Sequence, residues 1–199
     1  MRQVFIFFRR IFFYLWALSN RLKFYVNNIT YGEKLCIHGH VGLKLAPRAT
    51  IRIGDDFYMS NGCHINPLSG NNQGHIHVED NAELVIGNRV AISSTRIWCS
   101  KSIKIGDNVK MGGNVTLIDT DAHSLDYLDR RNIKYDQNKK TDLPIVIEDD
   151  VFIGMNSLIL KGVTIGARSI IGAGSVVTKN IPADCIAAGN PAIVIKHLV

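Results

Sequence analysis

A six-residue period of aliphatic side chains runs without a break through the last third of the chain. Its positions are Ile147, Ile153, Ile159, Ile165, Ile171 and Val177. A small or β-branched residue stands four places after five of them, at Val151, Ser157, Val163, Ser169 and Ser175. A helix repeats every 3.6 residues and an ordinary strand every two, so neither element fits this pattern. A short strand followed by a tight corner takes about six residues. Three such units predict a three-sided coil of about 18 residues, with stacked aliphatic side chains inside it.

The same period appears earlier in the chain, in three shorter runs. These runs are Ile53, Met59 and Ile65; Ile86 and Ile92; and Ile105, Met111 and Leu117. The segment Ser69–Gly74 between two of them is rich in Gly, Asn and Ser and is predicted to be a corner loop. From Asp119 to Leu143 the period gives way to a polar stretch that is too long for a corner. We expect this stretch to protrude from the coil, and long loops on rigid scaffolds often carry function.

The N-terminal residues follow a different pattern and predict an amphipathic, aromatic-rich helix. Arg9 and Arg10 interrupt the apolar run, and the longest uncharged stretch, Ile11–Asn20, is only ten residues long. A bilayer-spanning helix needs about 20 residues, and split apolar runs are not typical of signal peptides. Two alternatives remain: a helix on a membrane surface, or a helix packed on a neighbouring subunit. We therefore divide the chain into a helical unit, residues 1–30, and a coil domain, residues 31–199, with segment 119–143 inserted.

Charge and cysteine content narrow the possible partners. The chain has 199 residues, a formal net charge of +6 and a pI near 9.2, which favour anionic partners. Nucleic acid is not expected, because no aromatic–basic recognition motif is present. The four cysteines form no CxxC pair, which argues against a zinc knuckle and favours a reducing cytoplasm. If the helix binds lipid, the protein is expected at the inner face of the membrane.

Three segments resemble the hexapeptide acyltransferases. They are VKMGGNVTLIDTDAHS (Val109–Ser124), the repeat Ile145–Pro182, and AAGNPAIVIK (Ala187–Lys196). The likeness extends over roughly residues 50–199 and is greatest to maltose-type, galactoside-type and capsular-polysaccharide sugar O-acetyltransferases. It implies an all-β, left-handed parallel β-helix that forms a homotrimer with active sites between subunits. It also implies transfer of acetyl from acetyl-CoA to a sugar hydroxyl, in surface polysaccharide biosynthesis, without a metal.

The candidate chemistry lies where the polar segment begins. His123 matches the catalytic histidine of the family, and an imidazole pKa near 6.5 suits a general base at neutral pH. Asp119 and Asp121 precede it at alternate positions, so in an extended segment they would share a side with His123. Either could hold the imidazole or bind sugar hydroxyls. By the resemblance, Ser93 falls at a sugar-contact position.

The donor side is expected at the C-terminal coils. Four basic residues and one acid lie between Lys161 and Val199, and coenzyme A carries a pyrophosphate and a 3′-phosphate. The resemblance places two residues beside the pantetheine arm and three near the nucleotide: Met155 and Ala173, then Thr178, Lys179 and Lys196. Related enzymes often have Ser or Asn at the first position, so a backbone contact is expected there. They often have Arg at the last, where lysine offers only a point charge.

Three other functions share parts of this pattern. A γ-type carbonic anhydrase uses the same coil with zinc on three histidines, and His64, His75 and His77 could supply them. A serine acetyltransferase is the other enzymatic alternative, but it normally has a larger helical N-terminal domain than this chain offers. A non-catalytic scaffold would keep the coil and lose the chemistry. The intact His123 segment argues against that.

Overall fold

The computed structural model describes residues 2–198, and the side chains of residues 11–198. Three sheets form the sides of a three-sided coil. Sheet A contains β1 (Thr30–Tyr31), β4 (Thr50–Ile53), β7 (Glu83–Ile86), β10 (Ser102–Ile105), β13 (Ile145–Ile147) and β16 (Thr164–Ile165). Sheet B contains β2 (Cys36–His38), β5 (Tyr58–Ser60), β8 (Ala91–Ser93), β11 (Lys110–Gly113), β14 (Phe152–Ile153), β17 (Ile170–Ile171), β19 (Cys185–Gly189) and β20 (Ala192–His197). Sheet C contains β3 (Gly42–Leu45), β6 (His75–Val78), β9 (Arg96–Cys99), β12 (Thr116–Ile118), β15 (Leu158–Leu160) and β18 (Val176–Val177).

The repeat positions fill the interior of the coil, as the six-residue period predicts. Strands β1–β18 enter sheets A, B and C in turn, β19 and β20 both join sheet B, and every pair except β19–β20 is parallel. All six positions of the C-terminal run are at most 1% exposed. Ile65 is an exception to the prediction. It lies outside any strand and is only partly buried, because the loop after β5 begins at Asn61 and extends to Gly74, well beyond the predicted corner.

A ladder of Asp and Asn side chains shapes the corner between sheets A and B. The carboxamide of Asn88 accepts the Asp55 N–H at 2.9 Å, and the Asp107 carboxylate accepts the Asn88 N–H at 2.7 Å. Asp149 does the same for the Asp107 N–H at 2.7 Å. The next residue in each corner is left-handed, as at Asn108 with φ 59°. Short polar side chains bond to nearby backbone in this way and tolerate that conformation, which makes them apt corner residues.

Helix α1 (Arg2–Val26) covers the first coil. Phe24 is fully buried in the core, and the Asn20 side chain donates to the Gly39 carbonyl oxygen at 2.8 Å. The opposite helix face is exposed and apolar; it consists of Ile11, Tyr14, Leu15, Leu18, Leu22 and Tyr25. Among the described residues, no helix is both long and apolar enough to cross a membrane.

The C-terminal residues extend sheet B. β20 pairs antiparallel with β19 and so covers the open edge of sheet B. Pairing satisfies the exposed N–H and C=O groups of that edge. The protruding segment 119–143 contains a 3₁₀ turn (Asp129–Arg131) and a short helix, α2 (Ile133–Lys139). Its two ends are joined by an antiparallel bridge between Thr120 and Asp142, so both return to the same point of the coil.

Candidate active site

His123 stands on the protruding segment and is paired with a buried carboxylate. Its Nδ1 lies 2.6 Å from Oδ2 of Asp136, which α2 carries. The other oxygen of Asp136 accepts the Ser124 N–H at 2.7 Å. The Asp136 side chain is 7% exposed, whereas that of His123 is 64% exposed. The histidine is therefore held from one side and open to a reactant on the other.

The charge of Asp136 sets the proton position on His123. The hydrogen bond with His123, followed by that from the Ser124 N–H, lowers the pKa of the Asp136 carboxyl. An ionised carboxylate only accepts hydrogen bonds, so the shared proton belongs on Nδ1 of the imidazole. The other ring nitrogen, Nε2, is then unprotonated and can accept a proton. This is the arrangement that a general base needs.

Asp119 does not have the predicted role in substrate binding. Its carboxylate is fully buried and accepts three backbone N–H groups, from Ser100 at 2.6 Å, Lys101 at 2.9 Å and Ser102 at 2.8 Å. Burial raises the pKa of this carboxyl, while the three hydrogen bonds act in the opposite direction. Asp119 therefore ties the base of the protruding segment to the preceding corner, and no sugar hydroxyl can reach it.

We expect Asp119→Ala to destabilise the fold. The change leaves three backbone N–H groups without their acceptor, and each unsatisfied buried group costs about 1–3 kcal/mol. The free energy of unfolding should fall by at least about 2 kcal/mol in chemical denaturation. Asp119→Asn keeps one oxygen acceptor, so its free energy of unfolding should fall less than that of Asp119→Ala. Equal stability of Asp119→Ala and wild type would contradict this role.

Asp121 lies apart from the His123–Asp136 pair. One of its oxygens is 3.3 Å from Nζ of Lys161. Its other oxygen, Oδ2, is buried and has no hydrogen-bond partner among the described residues. A contact between Asp121 and an acceptor hydroxyl stays a prediction, whereas its proposed role in holding the imidazole belongs to Asp136.

Ser93 lies on sheet B beneath the 61–74 loop. Its hydroxyl is bonded to Ser60 Oγ at 3.0 Å and accepts the side-chain amide of Asn66 at 2.7 Å. The Ser69 hydroxyl is 3.4 Å away. Ser93 is buried and its hydroxyl is already engaged, so it anchors the loop. Because Ser93 also lines a cleft on the outer face of sheet B, a sugar contact at this position stays a prediction.

The five predicted donor-side residues lie at the C-terminal end of the coil. Met155 and Ala173 occupy successive corners between sheets B and C. The two corners stack closely, since a Cβ added to Gly154, next to Met155, would lie 2.4 Å from the Ala173 nitrogen. Within residues 2–198, neither corner N–H donates a backbone hydrogen bond. Thr178 and Lys179 follow β18, and Lys196 is in β20; all three are exposed.

Two clefts lie on the outer faces of the sheets. The first, about 390 Å³, lies on the outer face of sheet C beside Trp98 and Ile118. The second, about 240 Å³, lies on the outer face of sheet B and is lined by Met111 and Phe152. Lys140 joins the protruding segment to the first cleft, because its Nζ is 2.6 Å from Glu79, which also accepts the Trp98 indole N–H at 2.9 Å.

The histidines of the zinc alternative do not form a metal site. In the part of the chain that the structure describes, no group of three His, Cys, Asp or Glu side chains could hold a metal ion. His75 and His77 lie in β6, while His64 lies in the preceding loop.

Comparisons with known proteins agree with the fold. Residues 144–179 match the family described as bacterial transferase hexapeptide (six repeats). Galactoside O-acetyltransferase of Escherichia coli is 43% identical over 97 residues, which cover 49% of this chain and 45% of that protein. The chain spans less than half the length of the curated relatives it matches.

Two solved structures share the coil. A hexapeptide-repeat acetyltransferase of Vibrio cholerae, complexed with acetyl-CoA, has a TM-score of 0.58 and 28% identity and covers 91% of this chain and 78% of its own. The polySia-specific acetyltransferase NeuO has a TM-score of 0.56 and 27% identity, with 86% and 82% covered. These likenesses confirm the predicted all-β, left-handed parallel β-helix.

Proposed function

Because the chain belongs to the hexapeptide-repeat transferase family, we propose that it is an O-acetyltransferase, which moves acetyl from acetyl-CoA to a sugar hydroxyl. The proposal rests on the His123–Asp136 pair, in which an exposed histidine is held by a buried carboxylate where the coil meets the protruding segment. A sugar acceptor is supported by the likeness to galactoside O-acetyltransferase. The resemblance to capsular enzymes further suggests surface polysaccharide biosynthesis.

The pair can perform the transfer by general base catalysis. A sugar hydroxyl has a pKa far above 7, so its proton must leave as its oxygen attacks the thioester carbonyl carbon. Nε2 of His123 accepts that proton, and the buried Asp136 carboxylate stabilises the resulting imidazolium. As the C–O bond forms and the C–S bond breaks, the imidazolium returns the proton to the departing thiolate of coenzyme A.

The donor is expected along the edge between sheets B and C. The corner N–H groups of Met155 and Ala173 are available to the amide carbonyls of the pantetheine arm. Lys179 and Lys196 supply positive charge near the C-terminal end, where the nucleotide phosphates would lie, and Thr178 adds a hydroxyl donor. Acetyl-CoA is here a cosubstrate, and the reaction as proposed requires no metal.

Lys179→Ala and Lys196→Ala should each weaken acetyl-CoA binding. Loss of one exposed phosphate contact is expected to raise the dissociation constant about threefold to tenfold at low salt, and less at high salt, because salt screens exposed charges. Calorimetry at two salt concentrations measures this. Lys104→Ala, an exposed lysine on sheet A, is the matched control and should bind as wild type does. Unchanged binding by both C-terminal variants would place the nucleotide elsewhere.

We also propose a homotrimer, with the sites between adjacent coils. The outward side chains of the C-terminal strands of sheets B and C are largely apolar; they include Phe152, Leu158, Leu160, Ile170 and Val176. The outward side chains of sheet A are mostly polar; they include Thr50, Arg52, Glu83, Ser102 and Lys104. Two sheets with apolar C-terminal strands and one polar sheet suit three coils packed around an axis. Sedimentation velocity should give three times the chain mass of 22.1 kDa.

For the N-terminal helix we propose contact with a membrane surface; this helical unit (residues 1–30) precedes the coil domain (residues 31–199) and packs on its first coil. One face of α1 is buried on the coil, so its opposite apolar face is available to lipid. The helix carries five basic residues, and no acidic residue precedes Glu33. That charge suits anionic lipid but opposes close packing against identical helices. Together with the free thiols, this favours the cytoplasmic face of the membrane.

Leu18→Asp should reduce binding to vesicles that contain phosphatidylglycerol about tenfold, because a leucine side chain contributes about 1.5–3 kcal/mol when buried. Ser19→Asp makes the same charge change beside the apolar face and should bind far better than Leu18→Asp. Co-sedimentation with vesicles measures both. If wild type ignores phosphatidylglycerol, or if the two variants bind alike, the helix packs on a neighbouring subunit instead.

The proposed activity is tested by sugar-dependent release of coenzyme A thiol from acetyl-CoA, with mass spectrometry of the sugar product. A set of neutral and acidic monosaccharide glycosides serves as acceptors. Product heavier by one acetyl group supports the proposal. If the purified protein releases thiol from acetyl-CoA at the same rate with and without every sugar, the activity is not sugar acetylation.

A further inference from the structure

The cleft on the outer face of sheet C is a built site that the mechanism above does not use. It encloses about 390 Å³ over strands β6, β9 and β12, within the range of small-molecule sites. Two parallel rows of outward side chains line it. One row is polar and consists of His75, Arg96 and Thr116; the other is His77, Trp98 and Ile118.

Trp98 provides a fixed flat surface in the second row. Its indole N–H donates to Glu79 at 2.9 Å, and the His77 ring lies 5.2 Å away at an angle of 31°. Glu79 is itself held by Nζ of Lys140 at 2.6 Å. A half-buried aromatic ring with a fixed orientation suits a sugar ring, whose faces are apolar C–H groups and whose edge carries hydroxyls.

The electrostatic character of the cleft is positive. Arg96 is exposed and forms no ion pair with any side chain of residues 11–198. Lys44 in β3 is the strand partner of His77 in β6. Burial lowers the pKa of His77, and the positive charge of Lys44 lowers it further. The nearby acid, Glu79, is already neutralised by Lys140. An unpaired guanidinium beside a flat ring is therefore open to an anionic group.

The position of the cleft relative to His123 fits an acceptor. Neighbouring strands of a sheet are about 4.8 Å apart, so β9 lies about 14 Å from β18, after which Thr178 and Lys179 follow. β12 lies between them and leads into the segment that carries His123. The Lys140–Glu79 contact fixes the same segment to the wall of the cleft. The cleft thus borders the strand that leads to the base, on the side of sheet C away from β18.

We infer that this cleft is the acceptor subsite and that it takes a sugar bearing an anionic group, with the ring on Trp98 and the anion on Arg96. The inference rests on the proposed acetyltransferase function. A uronic acid carboxylate and a sugar phosphate share this chemistry, and the two are separated in the test below.

The test is a binding titration, by NMR or calorimetry, of the full chain with coenzyme A present. Methyl glucuronide, its neutral counterpart methyl glucoside, and glucose 6-phosphate are compared. The glucuronide should bind at least about tenfold more tightly than the glucoside, and Arg96→Gln should abolish the difference. Trp98→Leu should weaken both. Lys104→Gln, which removes one charge from sheet A, should keep the preference. Tighter binding of glucose 6-phosphate than of glucuronide, with the same dependence on Arg96, would identify phosphate as the anion.

Two results overturn the inference: equal affinity of wild type for the glucuronide, the phosphate and the glucoside, or a preference that Arg96→Gln retains. Acetyl-CoA binding is measured on the same protein preparations without coenzyme A and should be unchanged by Arg96→Gln. If acetyl-CoA binds normally and no anionic preference exists, the subsite fails while the proposed function stands. If acetyl-CoA does not bind, the proposed function fails independently of the cleft.

Discussion

His123→Ala should lower the rate of acetyl transfer at least about 100-fold and leave acetyl-CoA binding unchanged. The imidazole is the one group placed to take the hydroxyl proton in the proposed step, and water replaces it poorly. The His123 side chain is largely exposed, so its removal should not disturb the coil. Steady-state kinetics with a responsive sugar, and circular dichroism of the variant, measure both parts of the prediction.

His40→Ala serves as the control for this prediction. His40 is an exposed histidine near the first coil, far from β12 in the sheet order, and its loss should leave the rate unchanged. Transfer by His123→Ala at the wild-type rate would remove the histidine from the mechanism. The base would then have to be sought among the side chains of the two clefts.

Asp136→Asn should also lower kcat by about 100-fold, with little change in KM or in acetyl-CoA binding. The carboxylate holds the proton on Nδ1, whereas an amide can donate to Nδ1 and leave the proton on Nε2, where it blocks the base. Because Asp136 acts through His123, the double variant with His123→Ala should be no slower than His123→Ala alone. Kinetics of the two single variants and the double variant measure this non-additivity.

Asp129→Asn is the matched control, because Asp129 lies in the same protruding segment and pairs with Lys139 at 2.8 Å. It should retain most of the activity. If Asp136→Asn and Asp129→Asn lose equal activity, the effect is on the folding of the segment. If the losses from Asp136→Asn and His123→Ala are additive, Asp136 does not act through the histidine.

The coil itself was predictable from sequence because each repeat position has one requirement. The inward repeat positions take apolar and mostly aliphatic side chains, so Ile153, Ile159 and Ile165 recur wherever the chain turns inward. The period failed at Ile65, because an isolated aliphatic residue in a loop matches the register by chance. The Asp and Asn corner residues likewise recur from coil to coil, because their side chains form hydrogen bonds with the backbone of the neighbouring coil.

The site was less predictable, because it depends on the shape of an irregular segment. Asp136 follows His123 by 13 residues, within a stretch that contains several other acids, and no period relates the two. The alternation of Asp119 and Asp121 with His123 assumed an extended segment. In the structure, Ala122 is left-handed with φ 62°, and the chain turns there. Burial of Asp119 and Ser93 likewise comes from loops whose courses no local pattern determines.

The cleft on sheet C could not be predicted from the sequence. His75 in β6 comes from one coil, Arg96 and Trp98 in β9 come from the next, and strand register alone brings the two strands together. The repeat predicts that such positions point outward, but it does not say which of them become neighbours. The loops 61–74 and 119–143 differ in length and change the number of residues between equivalent strands of successive coils. The strand register therefore could not be predicted from the sequence.

Calorimetric titration of acetyl-CoA into wild type and His123→Ala tests whether the protein has a donor site that is independent of the base. We expect both proteins to bind acetyl-CoA with dissociation constants in the micromolar range. Equal binding would establish the donor site and separate it from the base, whose role the kinetics then measure. Absence of acetyl-CoA binding by wild type would contradict the acetyltransferase proposal itself.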